Sequence, residues 1–131
     1  LDSLKSKYTN HNVEFLGEKS QEETLEIIKN SRAVITSTKM YEGQPRLLCE
    51  ASSFGIPSIF PNSGGLKEYF PEEYPLSFEQ FDYDNLKEKI YLLQDSLLIK
   101  NQGFEVYNHL KSILNDKKLI YNFDEALKIE K

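Results

Sequence analysis

The chain is short of what several large function classes require. It has one cysteine, Cys49, so no disulfide can form within it, and a reducing compartment fits. Its two histidines, His11 and His109, lie far apart in sequence and lack the neighbours that would make a metal pair. Tryptophan is absent, and the aromatic core must be drawn from eight Tyr and eight Phe. Basic residues are in the minority, 16 Lys and Arg against 21 Asp and Glu, for a formal charge of −5. No positive stripe is present to follow a phosphate backbone, which argues against nucleic acid as a partner, and nothing draws the chain to anionic lipid. No apolar run approaches the roughly 18–20 residues of a spanning helix, and no signal-peptide pattern occurs. The expected setting is the cytoplasm.

What remains is an acidic chain of 131 residues, one domain's worth, with 39% hydrophobic residues to build a core. Its first residue is Leu1, its only Met is Met40, and Leu1, Leu4 and Tyr8 already share a helical face. This reads as a fragment of a longer protein.

Val13 to Leu16 reads as a short strand stopped by Gly17. Ser20 with Glu23 forms a capping box, so a helix is expected from there to about Ser31, with Leu25, Ile28 and Ile27 on its apolar side. Ala33 to Thr36 is β-branched and apolar without alternation, as a strand buried on both faces should be. A helix over 45–54 and a strand over 57–60 follow. Strands alternating with helices through short links imply an α/β fold with a doubly wound parallel sheet, whose ligands bind beyond the carboxyl ends of the strands. The core is expected over about 13–80, with Leu76 to Phe78 as a last short strand and helices over about 82–131, the last of them over Ile120 to Ile129. Phe104, Tyr107, Leu110 and Leu114 are expected to form the inner stripe of the helix over 97–114.

The most informative residues are Glu42-Gly43-Gln44-Pro45-Arg46-Leu47-Leu48-Cys49-Glu50. Pro45 suits the first helical position, and free amides at a helix start attract anions. Glu42 stands just outside that start and Glu50 inside it, roughly 10–12 Å apart along the axis at 1.5 Å per residue. Such spacing suits a ligand with hydroxyl-rich groups on both sides of a phosphate. Gly55-Ile56-Pro57-Ser58-Ile59 and Ser63-Gly64-Gly65-Leu66-Lys67-Glu68 then add a strand and a glycine turn opening a short helix.

Phe15-Leu16-Gly17, Glu42-Gly43-Gln44-Pro45, Leu47-Leu48-Cys49-Glu50-Ala51, Gly55-Ile56-Pro57-Ser58-Ile59 and Gly64-Gly65-Leu66-Lys67-Glu68 occur in this order. Together they resemble the donor half of retaining GT-B glycosyltransferases, the large group with an E-x7-E pattern. The resemblance implies a C-terminal, nucleotide-sugar-binding domain of which two leading βα units, with an Arg and a Lys for the diphosphate, are missing. It implies that Glu50 accepts from the ribose hydroxyls, and that Glu42 lies beside the transferring sugar as the candidate catalytic residue. Gly43, Gln44, Arg46 and Leu47 would offer backbone amides to the diphosphate around Pro45, which has none to give. Gly17 and Glu18, with Lys19, would lie at the nucleobase; Ser63, Gly64 and Gly65 at the sugar and phosphate edge. Many members have Phe-Gly at Gln44-Pro45, and Arg46 is unusual; it reaches a phosphate or a sugar carboxylate, or else makes a structural contact or faces water. No metal or other cofactor is implied, because helix dipole and basic side chains stabilise the leaving diphosphate. The acceptor, a glycan or lipid, would be held by an absent N-terminal domain, and contact of the full protein with a membrane stays open. The fragment alone is expected to be inactive.

Bland readings stand beside these. Asp82-Tyr83-Asp84 matches D-x-D literally but reads as a helix cap. Cys49 reads as a small buried residue. A non-catalytic binding or regulatory module would keep the same fold. A flavodoxin-like signalling domain would want an Asp at a strand end, where Gly17, Ser37 and Pro61 stand instead.

Overall fold

The computed structural model describes residues 2–8, 12–39, 43 and 45–117. Helix α1 (Asp2–Tyr8) leads into α2 (Gln21–Lys29), strand β1 (Val34–Ile35), α3 (Arg46–Ser53) and β2 (Ser58–Pro61). A 3₁₀ turn (Leu66–Tyr69), β3 (Ser77–Phe78), α4 (Tyr83–Leu92) and α5 (Ser96–Ile113) complete it. The strands lie in the order β1-β2-β3 and pair in parallel, with Val34 opposite Ser58 and Phe60 opposite Ser77. Sequential parallel strands are one half of a doubly wound arrangement, and the α/β expectation holds.

Every residue of β2 is buried, so each of its peptide groups must find a partner inside the protein. On one side Val34 N–H donates to the Pro57 carbonyl and Thr36 N–H to that of Ile59. On the other side β3 begins too late to reach Ser58. Tyr74 fills the gap: its hydroxyl accepts from Ser58 N–H at 2.9 Å and donates to the Ser58 carbonyl at 2.8 Å. Burial pushes the Tyr74 phenol far above its ordinary pKa, so it stays a neutral donor. Its ring packs with Phe60 and Phe70, at centroid separations of 5.6 and 4.8 Å, and Leu48, Ile59, Leu66, Leu76, Phe78 and Val106 close the core around them.

Helix ends follow local chemistry. Ser20 and Glu23 form the expected reciprocal box on α2. Asp82 accepts from the amides of Asp84 and Asn85, so the literal D-x-D is a cap; Asp95 does the same for α5 through Leu97 and Leu98. Arg32 covers the far end of α4, donating to the Leu93 carbonyl at 2.6 Å and reaching the Ser96 hydroxyl at 3.1 Å, where a cation suits the helix dipole. Helix α3 stops in a Schellman pattern: Ile56 N–H donates to the Ala51 carbonyl, Gly55 N–H to that of Ser52, and Gly55 has φ +69.

Three expectations change. Val13 to Leu16 forms no strand among the described residues, and Val13, Phe15 and Leu16 are exposed. Strand β1 is only two residues long, so it offers little edge to pair with, and no burial draws these side chains in. Of the four residues named for α5 only Leu110 is buried, in a stripe with Gln102, Gly103 and Val106, while Phe104 is 70% exposed. Gly103 decides this rotation. A Cβ there would stand 2.1 Å from the Gly55 carbonyl oxygen, so α5 turns its one bare backbone toward the end of α3. Finally, Pro45 is the N-cap of α3 and not its first helical residue, with ψ 83. The helix expected over 120–129 lies outside the described residues.

Gly103→Ala should destabilise the fold by about 2 kcal/mol or more, since two backbones must part. Tyr74→Phe should cost about 2–3 kcal/mol by stranding the buried peptide groups of Ser58. Urea denaturation checks both, and an unchanged midpoint for either variant would refute its contact as a support of the fold.

Candidate functional site

The carboxyl ends of β1 and β2 lie on the same edge of the sheet and lead into residues 36–39 and 62–65. The next element in the chain after β1 is α3. Pro45 is buried and accepts from Cys49 N–H at 2.9 Å, but among the described residues no side chain caps this helix, and its first turn holds no acid. The contrast with α2 is chemical. There Ser20 caps, and Glu22 and Glu23 answer the positive end of the dipole. At α3 that end carries Arg46 instead, a cation where the dipole disfavours one.

Arg46 turns back along the helix. Its Nε donates to Glu50 Oε1 at 2.9 Å, and its side chain is 72% exposed against 20% for Glu50. Gln21, the first residue of α2, donates from Nε2 to the same Glu50 Oε1 at 2.9 Å and accepts from the Arg46 guanidinium on its own carbonyl oxygen. Sequence reasoning overlooked Gln21; only its place directly after the Ser20 cap gave a hint, since it puts one helix start against another. The start of α2 is also the end of the loop holding Gly17, Glu18 and Lys19, so the fold brings that loop to Glu50. Gly17 has φ +68, Glu18 is exposed, and Lys19 pairs with Glu23 at 3.7 Å. An exposed i,i+4 pair such as Arg46 with Glu50 contributes only about 0.3–0.5 kcal/mol, so it does not lock the carboxylate.

Other expected residues sort differently. Gly43 is exposed, and a side chain there would meet nothing within 4 Å, so its backbone faces open space. Leu47 is half exposed beside the buried Leu48. Ser63, Gly64 and Gly65 follow β2, one strand over; Gly64 has φ +60, Gly65 is buried at the start of the 3₁₀ turn, and the Ser63 hydroxyl is buried without a hydrogen-bond partner. No hydrogen bond joins them to Glu50, Arg46 or Gln21 among the described residues. Glu42 and Gln44 lie outside the described residues.

A cavity of about 380 Å³ lies elsewhere, between the 3₁₀ turn and α5, lined by residues including Lys67, Glu72, Tyr74 and His109. None of the expected site residues lines it. Among the described residues no cluster of His, Cys, Asp or Glu has metal-holding geometry, and no helix is long and apolar enough to cross a membrane.

A model of the family "Glycosyl transferases group 1" matches residues 1–121. Among solved structures, a sucrose-phosphate synthase from Thermosynechococcus elongatus superimposes with a TM-score of 0.77 at 21% identity. The match covers 97% of this chain and 32% of that one, so the chain spans about a third of the length of that structure. At such identity the likeness speaks to the fold. No curated protein matches the chain.

Burial, and then the Glu50 carboxylate beside it, push the Cys49 thiol above its ordinary pKa. Its thiolate is therefore scarce at neutral pH, and alkylation by iodoacetamide should run slower than for a free thiol until the pH passes well above that of an ordinary cysteine. Mass spectrometry of a pH series checks this, and rapid labelling at pH 7 would contradict it.

Proposed function

The chain belongs to the glycosyl transferases group 1 family, and we propose that it is the donor-binding part of an enzyme that moves a hexose-type sugar from a nucleoside diphosphate to an acceptor. The observation that carries this reading is the start of α3: without a side-chain cap among the described residues, free of acids in its first turn, placed at the carboxyl edge of a parallel sheet, with Glu50 one turn inward. Diphosphate charge would meet the amides around Gly43, Arg46 and Leu47, and the ribose hydroxyls would donate to Glu50. Gly17 and Glu18 would flank the base, with Ser63, Gly64 and Gly65 on the sugar side. Glu42 and Gln44 enter from their place in the sequence alone, Glu42 beside the transferring carbon.

Catalysis in this reading is positional and electrostatic, with retention at the sugar carbon and no metal. The acceptor, a glycan or lipid of polysaccharide assembly, would be held by a domain outside these residues. The whole chain then acts as one truncated domain of a cytoplasmic enzyme, with membrane contact reserved for its other parts. A non-catalytic module of the same fold is the second reading, favoured by one observation: Glu50 Oε1 already accepts from Arg46 and Gln21.

Titration of residues 1–131 with UDP and GDP, followed by amide NMR, should shift Gly43, Leu47 and Glu50. Glu50→Gln should weaken binding about tenfold or more, the scale of a lost charge-assisted hydrogen bond. Shifts confined to other surfaces would defeat the donor-site reading. Sugar transfer by the chain alone is not expected, and its detection would overturn the view that this part only binds.

A further inference from the structure

We infer that Arg46 is a specificity-determining residue of this site, paired with Glu50 as the structure shows it and transferred to the diphosphate when a donor binds. The inference rests on the donor-site reading above and adds to it a role for a side chain that sequence left open.

Three observations converge on it. Arg46 is the first residue of α3 and Glu50 stands one turn later. In a helix each Cα–Cβ bond leans toward the N-terminus, so a first-turn arginine naturally projects past the helix start, into the space where an anion would sit. Here the guanidinium instead folds back on Glu50 Oε1 and on the side-chain amide oxygen Oε1 of Gln21. That arrangement is electrostatically poor on two counts. A cation sits at the positive end of the helix dipole, and the acid lies on the C-terminal side of the base, the less favourable order for a pair four residues apart.

A diphosphate removes both faults. It offers two or more charges at the helix start and accepts from a guanidinium in a bidentate way that one shared carboxylate oxygen does not permit. With 72% of its side chain exposed, Arg46 meets little obstruction to such a swing. Its departure returns Glu50 Oε1 to the ribose hydroxyls, while Gln21 stays to orient the carboxylate. Phosphate and ribose recognition are then coupled: the ligand with the diphosphate opens the carboxylate for its own sugar, whereas a nucleoside lacking phosphates must compete with Arg46 for it.

Isothermal titration of residues 1–131 with uridine, UDP, guanosine and GDP tests this, comparing wild type with Arg46→Gln, Arg46→Lys and Glu50→Gln. For the base that wild type prefers, Arg46→Gln should weaken the diphosphate about tenfold while binding the nucleoside as well as wild type or several-fold better. Arg46→Lys should recover part of the diphosphate affinity, and the salt dependence of diphosphate binding should be shallower in Arg46→Gln. Equal tightening of both ligands would make Arg46 a mere cover over Glu50 and overturn the inference, as would no change in either. If Glu50→Gln weakens the diphosphate but Arg46→Gln does not, only this inference fails. If wild type binds none of the four ligands, the donor-site reading fails and carries the inference down with it.

Discussion

The rest of this structure depends on the central strand β2. All its residues are buried, so its peptide groups have no access to water. Neighbouring strands satisfy most of them, but β3 starts opposite Phe60, two residues along from Ser58. The Tyr74 hydroxyl completes the ladder there by donating and accepting at once, a pairing open only to a neutral phenol. Because the same ring stacks with Phe60 and Phe70, one side chain ties hydrogen bonding to core packing. The carboxyl end of β2, and the Ser63-Gly64-Gly65 turn it delivers, take their position from that union.

A second constraint fixes α3. Its end is held by the close approach of Gly55 and Gly103, where one backbone carbonyl occupies the place of a side chain. At its start Pro45 makes no side-chain cap, the first turn holds no acid, and Arg46 brings a charge of the wrong sign for the dipole. Local rules are obeyed at α2, α4 and α5, whose caps are Ser20, Asp82 and Asp95. They are not repeated at α3, the helix on which the proposed donor site rests, and departures of this kind concentrate at functional sites.

Electrostatics around Glu50 show how a weak contact can matter. Its bonds to Arg46 and Gln21 lie at the surface and stabilise the fold little. They do set the direction of the carboxylate. Two helix starts, α2 and α3, meet at this one oxygen, although they are separated by a strand and a loop.

What the sequence determined by itself was chemistry acting over a few residues. The Ser20–Glu23 box, the Asp82 cap and the glycine stop at Gly55 were all legible, because each is closed by groups within one turn of each other. The α/β order and the motif run from Gly43 to Glu50 were legible for the same reason, since period and spacing are local. Tertiary structure decided the rest. Which stripe of α5 faces inward was settled by a glycine pair 48 residues apart, and apolar spacing alone pointed to Phe104, which is exposed. Val13 to Leu16 has strand composition yet forms none, because a strand exists only where another edge accepts it. Gln21 gained its role from a helix 25 residues away. Contacts between distant segments depend on how backbones approach one another, and a linear pattern of side chains does not encode that distance.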